Sequence, residues 1–218
     1  VQGAAPPPRT QAQACLSRSD YYHDMKDLAR RVRAEHGLSS CRVLKSDLRR
    51  IYKAEGVRID IWPYKLKEIR GAYFRDTLGP TVMIAKLPND PFVFTLAHEL
   101  KHHLFDHGVS LAPCGARNQS EHVEIGAEIF AAEFLFPESD FSQIMRGLGV
   151  GRGSCTPAHI VEIKRRTGTT LSYLGLVKRA EFLGLAAAGS LPRSGWRLLE
   201  EKIYGVPFYK RPPRLRSA

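Results

Sequence analysis

The chain has 218 residues and a mass of 24.4 kDa, enough for one or two domains with a buried core. Its 43% hydrophobic and 25% charged content excludes a wholly disordered or fibrous protein. Lys and Arg number 33 against 22 acids, a formal charge of +11, which permits an acidic-protein or nucleic-acid partner without choosing between them.

Residues 1–19 read as a flexible lead, because Pro6-Pro7-Pro8 and small polar neighbours have little to bury. Val1–Thr10 lacks the continuous apolar stretch of a secretory signal. Tyr21, Met25, Leu28, Ala29 and Val32 recur at helical steps, and Val43, Leu44, Leu48 and Ile51 suggest a second helix ending near Glu55. Alternation then takes over at Val57, Ile59 and Ile61, which predicts a strand. Gly71–Arg75 and Thr81–Ala85 are two more, with a turn at Leu78-Gly79-Pro80. Asn89-Asp90-Pro91 is a helix start, with Asn89 or Asp90 as cap, and the helix is expected to run to about His107 before Gly108. Residues 109–120 read as a polar loop. A helix from about Glu121 to Phe136 follows, then a glycine-rich hinge at Gly147–Gly153, then helices over about 157–166 and 169–183. From Arg193 onward there are seven Lys or Arg against two Glu, which reads as a basic tail. The organisation expected is a lead at 1–19, a main domain at 20–145, a helical region at 154–190 and a tail at 191–218. The fold class is α+β: a small twisted, mainly antiparallel sheet packed on the 89–107 helix, followed by a helix-turn-helix-like region.

His98-Glu99-Leu100-Lys101-His102 is an HExxH sequence on that helix. Four residues advance a helix by about 400°, so the two imidazoles project only about 40° apart and can bind one zinc ion. Glu99 lies about 100° round, placed to reach a water on the metal without itself being a ligand. Apolar residues from Phe92 to Phe105 surround these groups nearly all round, so two histidines and a glutamate there would be costly without a partner, which a cation would supply. A third ligand is expected from the next helix, where Glu121, Glu124 and Glu128 share one face.

Phe94-Thr95-Leu96-Ala97-His98-Glu99-Leu100-Lys101-His102-His103, followed by Glu124 to Pro137, resembles the ImmA/IrrE metallopeptidases of bacteria and their mobile elements. The second block is similar to that family's E-x-x-A-x-x-F-A-A-x-x-L-x-P helix. The likeness is clear over about Val57 to Pro137. It implies a zincin-like domain, Glu124 as third zinc ligand, and cleavage of a regulatory protein, typically a helix-turn-helix repressor, in a bacterial stress response. The family commonly has glycine where Lys101 stands, asparagine where Glu128 stands, and often glutamate at Gly126. A lysine at 101 is expected to turn outward or line the cleft. Residues 185–218 are too few for the sensor domain of the radiation-response members, so the short repressor-cleaving members are the closer comparison.

The expected site is therefore His98, His102 and Glu124 on zinc, or on manganese, with Glu99 as the general base and acid. Glu128 is either a carboxylate that orients a ligand imidazole or an exposed helix acid. An extended substrate is expected to add at a sheet edge near Gly71–Arg75 or Thr81–Ala85. His103 and His107 are read as packed neighbours, His122 and His159 as surface residues, and Cys114 as a loop cysteine. Lys164, Arg165, Arg166, Lys178 and Arg179 raise the possibility of DNA contact by the last two helices, as do Lys202, Lys210, Arg211, Arg214 and Arg216 in the tail; a helical lid completing the core is favoured. Cys15, Cys41, Cys114 and Cys155 lie far apart with no CxxC pair, so reduced thiols in a cytoplasmic protein are expected, and no run is long enough to cross a membrane. The leading function is a zinc endopeptidase acting on a repressor. Its rivals are a DNA-binding regulator or antitoxin-like partner with a purely structural metal, and a broad-specificity peptidase.

Overall fold

A computed structural model describes residues 18–64, 69–106, 111–115 and 122–205, with backbone alone at 18–19 and 111–115. Residues 1–17 of the predicted lead, Glu121, His107 and the tail cations from Lys210 to Arg216 lie outside the described residues, while Arg18 and Ser19, the last two of that lead, already belong to the first helix.

In chain order, α1 (Arg18–Glu35) and α2 (Lys45–Ala54) precede strands β1 (Arg58–Trp62), β2 (Ile69–Asp76) and β3 (Gly79–Ala85). Helix α3 (Asn89–Phe105), strand β4 (Leu111–Gly115) and helix α4 (His122–Leu135) follow, then α5 (Glu138–Gly147), α6 (Pro157–Thr167), α7 (Tyr173–Phe182) and α8 (Trp196–Tyr204). The fold is α+β, as expected.

The sheet has the order β1-β3-β2-β4. Two of its pairings, β2 with β3 and β2 with β4, are antiparallel, whereas β1 runs parallel to β3, with Arg58 opposite Thr81 and Trp62 opposite Ala85. Alternating apolar residues do not distinguish these two ladders. The β2–β3 turn is Thr77-Leu78, one or two residues earlier than expected: Asp76 pairs with Gly79, and the Asp76 side chain accepts the Leu78 N–H at 2.8 Å. Gly79 opens β3 at φ +102°, a backbone region that L side chains resist.

Three elements depart from the expected organisation. Residues 111–115, read as loop, form β4. Helix α5 occupies the stretch before the glycine-rich hinge, burying Phe141 and Met145 one turn apart. Helix α8 stands inside the stretch read as a basic tail, with Trp196 stacked on Tyr173 at 4.8 Å. The start of α3 also differs: the N-cap is Pro88, no side chain caps the helix, and Asp90 instead holds Lys164 at 2.8 Å.

Two groups of buried side chains follow from this arrangement. One joins α1, α2, β1–β3, α3 and α4 around Leu48, Ile84, Leu96, Leu100 and Phe130. The other joins the end of α4 to α5–α8 around Phe136, Phe141, Ile160 and Leu176. Between them lies a buried ionic junction on α4. Glu133, with no exposed surface, accepts from Arg30 of α1 at 2.9 Å and from the Glu138 backbone N–H at 3.0 Å, and pairs with Arg179 of α7 at 3.3 Å. Arg179 also donates to the Phe136 carbonyl. Nearby, Lys26 of α1 pairs with Glu138 at 2.9 Å. Burying such charges is tolerable only while they stay matched.

Removing one partner should therefore cost more than its contact alone. Glu133→Ala is expected to lower stability by about 3 kcal/mol, because buried Arg179 loses its paired carboxylate and keeps only the more distant charge of Glu138. Arg30→Ala, whose guanidinium is partly in water, should cost under about 1 kcal/mol. Urea unfolding followed by circular dichroism compares the two; similar losses would mean that the junction carries no buried charge.

Candidate metal centre

Helix α3 is buried without a break from Thr95 to His103, which is why its polar residues must find partners inside the protein. The one-turn spacing of His98 and His102 puts their rings side by side, with centroids 5.0 Å apart and the two Nε2 atoms 3.2 Å apart. Helix α4 packs on α3 through Phe130 against Phe105, at 6.1 Å between centroids. This brings Glu124, in the first turn of α4, onto the same two rings: Oε2 lies 3.2 Å from His98 Nε2 and Oε1 lies 3.4 Å from His102 Nε2. One donor atom from each of the three residues lies within 4.8 Å of the others, and all three residues are buried. This cluster could hold a metal ion.

Two features suit a divalent cation. The donor set of two imidazoles and one carboxylate is one that zinc accepts with a position left open. Glu99, the neighbour of His98, has no exposed surface, and neither of its carboxyl oxygens has a hydrogen-bond partner in bonding geometry, although the Tyr73 backbone N–H faces it closely enough to draw its pKa down. A buried carboxyl without a bonded partner is costly unless a ligand or water completes it. Burial pushes its pKa up to about 8, with His102 pulling back and Glu124 adding to the rise.

His102 and Glu124 hold their charge against burial, and His98 does not. Burial alone would push His102 down, but hydrogen bonds with Asp106 and Glu124 lift it to about 9. Burial pushes Glu124 up, and the two imidazoles more than reverse this, leaving it at about 2. His98 is lowered chiefly by burial.

Asp106 is the residue that the sequence reading missed. It caps the end of α3, its backbone N–H reaching the His102 carbonyl at 3.2 Å, and its carboxylate accepts the His102 Nδ1–H at 2.6 Å. That bond holds Nδ1 as the donor, so that His102, once neutral, presents its Nε2 lone pair to the cluster. An acid four residues after a candidate ligand histidine was the available signal. Burial raises the Asp106 carboxyl, but His102 and Lys101 bring it below the ordinary range.

Lys101 neither turns outward nor lines a cleft. It is 2% exposed, and its ammonium donates to Asp106 and to the Val123 carbonyl. Glu128 does not orient an imidazole: its side chain is 45% exposed and faces Lys178 at 3.9 Å. His103 packs on the sheet as expected, with Nδ1 3.2 Å from the Tyr73 hydroxyl. His122 is exposed and lies against Tyr21, while His159 is half-buried and accepts the Thr156 N–H, closing the start of α6. Cys114 belongs to β4, where the backbone alone is described. Cys41 and Cys155 are free thiols, and burial raises both pKa values to about 11. At Gly126, where a glutamate was the family expectation, Tyr21 of α1 fills the space a side chain would take and donates to the His122 carbonyl at 3.1 Å. Strands β2 and β3, the expected docking edges, are both interior to the sheet; the outer strands are β1 and β4.

A family model described as the IrrE N-terminal-like domain, a peptidase family, matches residues 53–173, more than half of the chain. The chain belongs to this family. The matched stretch runs from the end of α2 to the start of α7 and includes every residue of the cluster. A Mycobacterium tuberculosis transcriptional regulator has a similar structure, with a TM-score of 0.55 and 18% identity over 75% of this chain and 50% of that one. The chain thus spans half the length of that regulator, and the likeness bears on fold alone. No curated protein gives a significant match. Among the described residues, no helix is long and apolar enough to cross a membrane.

Glycine at 71 is what lets α3 approach β2 beside the cluster. A Cβ there would lie 2.5 Å from Thr95 Cγ2 and 2.9 Å from Glu99 Oε1. Gly71→Ala is therefore expected to destabilise by about 1–3 kcal/mol through overpacking. Gly126→Ala should cost less, under about 1 kcal/mol: the new Cβ displaces the Tyr21 ring, whose hydrogen bond, about 1 kcal/mol, is lost, against a gain of about 1 kcal/mol in helix propensity. Thermal unfolding of the two variants distinguishes them, and a Gly71 variant as stable as the parent would refute the close approach.

Proposed function

We propose that the chain is a zinc-dependent endopeptidase that cleaves a specific regulatory protein, a helix-turn-helix transcriptional repressor, with His98, His102 and Glu124 as metal ligands, Glu99 as the catalytic base and acid, and the cytoplasm as its location. The observation that carries this reading is the buried convergence of the three donors beside a carboxyl, Glu99, that has no hydrogen-bonded partner of its own. A purely structural metal site has no need of such a group. Manganese fits the same donors.

His98, His102 and Glu124 would hold the zinc ion, which would supply Lewis acidity toward an amide carbonyl and lower the pKa of water toward neutrality. Glu99 accepts the proton of the attacking water on a carboxyl oxygen and then hands it to the nitrogen of the departing amine. The apolar surroundings that raise its pKa suit it to hold the proton between the two transfers, while a nearby cation favours the carboxylate form that starts the cycle. Asp106 keeps His102 from rotating throughout. An extended substrate segment adds to the sheet along β4: Cys114 of this outer strand pairs with Gly71, and Gly71 abuts Glu99.

DNA binding by α6 and α7 has less support. Lys164 is buried and spends its ammonium on Asp90 and on the Thr169 and Leu171 carbonyls, and Arg179 is buried on Glu133.

Two experiments test the proposal. Incubating the purified chain, with zinc or manganese, and the repressor encoded beside its gene should give one or a few cuts, lost with a chelator and with Glu99→Gln. Wild-type cleavage by Glu99→Gln would remove the catalytic assignment. Separately, His98→Ala and Glu124→Ala should each lose stoichiometric zinc, measured by elemental analysis after dialysis, whereas Glu99→Gln and Glu128→Ala keep it. Full zinc retention by Glu124→Ala would remove that carboxylate from the ligand set.

A further inference from the structure

The ammonium of Lys101 touches both segments that carry the cluster. Its three protons have three acceptors: Asp106 Oδ1 at 2.9 Å, Asp106 Oδ2 at 2.9 Å and the Val123 carbonyl at 3.2 Å. At 2% exposure, this is a buried cation whose hydrogen-bonding capacity is fully used. Gripping both oxygens stops the Asp106 carboxylate from rotating, although the residue sits just beyond α3 and is partly open to water. The oxygen so held, Oδ2, is the one that accepts the His102 Nδ1–H at 2.6 Å. The third contact falls on Val123, immediately before Glu124 in the first turn of α4.

We propose that Lys101 is a positioning residue for the metal centre: by gripping both oxygens of Asp106 it holds that carboxylate against His102. This rests on the reading of His98, His102 and Glu124 as metal ligands. The chain of contacts is short and directional. Lys101 orients a carboxylate, the carboxylate orients an imidazole, and the imidazole Nε2 faces His98 Nε2 at 3.2 Å and Glu124 Oε1 at 3.4 Å. A lysine that merely stapled α3 to α4 would affect unfolding and leave metal affinity alone. One that acts through Asp106 must affect affinity, and must do so only while Asp106 is present.

The test uses the full chain and four variants: Lys101→Met, Lys101→Gln, Asp106→Asn and the double variant Lys101→Met/Asp106→Asn. Zinc affinity is read by competition with a chromophoric chelator, and ligand geometry by the visible absorption of the cobalt(II)-substituted protein. Lys101→Met is expected to weaken zinc binding about tenfold, the lower end of what loss of an outer partner costs, and to change the cobalt spectrum. In the Asp106→Asn background the same substitution should make little further difference. Wild-type affinity and spectrum in Lys101→Met, or an equal loss in both backgrounds, would overturn the proposal. If Lys101→Met does not fold by circular dichroism, Lys101→Gln takes its place, keeping a donor without the charge, with a smaller loss in the same direction. If the wild-type chain binds neither zinc nor cobalt, the ligand reading itself fails and this proposal falls with it. Normal binding by the wild type with indifference at Lys101 defeats this proposal alone.

Discussion

The pairing of ionisable groups between α3 and α4 is the constraint around which the molecule is arranged. His98, Glu99, Lys101, His102 and Glu124 are all buried, and none of them could be left there singly without several kcal/mol of desolvation cost. The solution is mutual: Lys101 against Asp106, Asp106 against His102, and Glu124 against both imidazoles. Glu99 is left over. Protons and a divalent ion are then alternative ways to neutralise the set. Proton uptake by His102 and Glu99 is what pKa values of about 9 and about 8 describe, and a metal that takes the imidazole lone pairs releases such protons.

The remainder of the fold keeps those two helices in register. The β2 backbone can come close to α3 because Gly71 has no side chain, and Tyr52 of α2 donates its hydroxyl to the Leu96 carbonyl at 2.8 Å, binding α2 to the same helix. On its far side α4 is held by α1, through Arg30 on Glu133 and Arg33 on the Phe134 carbonyl. The helix that carries Glu124 is thus fastened at one end by Lys101 and near the other by Glu133, nine residues on. Charge matching at both ends specifies a single depth for α4 in a way that greasy packing of Phe130 and Phe134 alone would not.

How much of this the amino-acid order revealed depended on the range of the interaction concerned. Local periodicity was enough for α3, α4, α6 and α7, and the spacing of His98 and His102 predicted their shared face. The choice of Glu124 from three acids on one face came from family likeness, and its approach to both imidazoles is a tertiary fact. Glu128 sits one turn further on, where α4 already faces Lys178 and water. Asp106 was overlooked because a polar residue after an apolar run resembles an ordinary helix end, and Lys101 was read as turning outward or lining the cleft because its partner lies beyond that end. Strand β4 contains Pro113 and Gly115, both poor strand residues, and owes its structure to pairing with β2. Helix α8 was hidden by the charge of its neighbourhood: Trp196 and Leu199 pack inward among cations that dominate the composition.

Net charge shows the same limit. A formal +11 invites a search for a basic face, and the last two predicted helices offered five cations. In three dimensions most of those are engaged: Lys164 on Asp90, Arg165 against the Tyr204 ring at 4.0 Å, Arg166 on Glu162 at 2.6 Å and Arg179 on Glu133. Helix α2 contrasts with them. Arg49, Arg50 and Lys53 are exposed there, and Lys45, over the Phe92 ring at 3.9 Å, has a lowered pKa from burial and from the like charge of Arg49. Lys164 and Arg179 are matched by anions from distant parts of the chain, and Arg166 by Glu162 one turn before it, so the count of cations in these two helices overstates the charge they present to solvent.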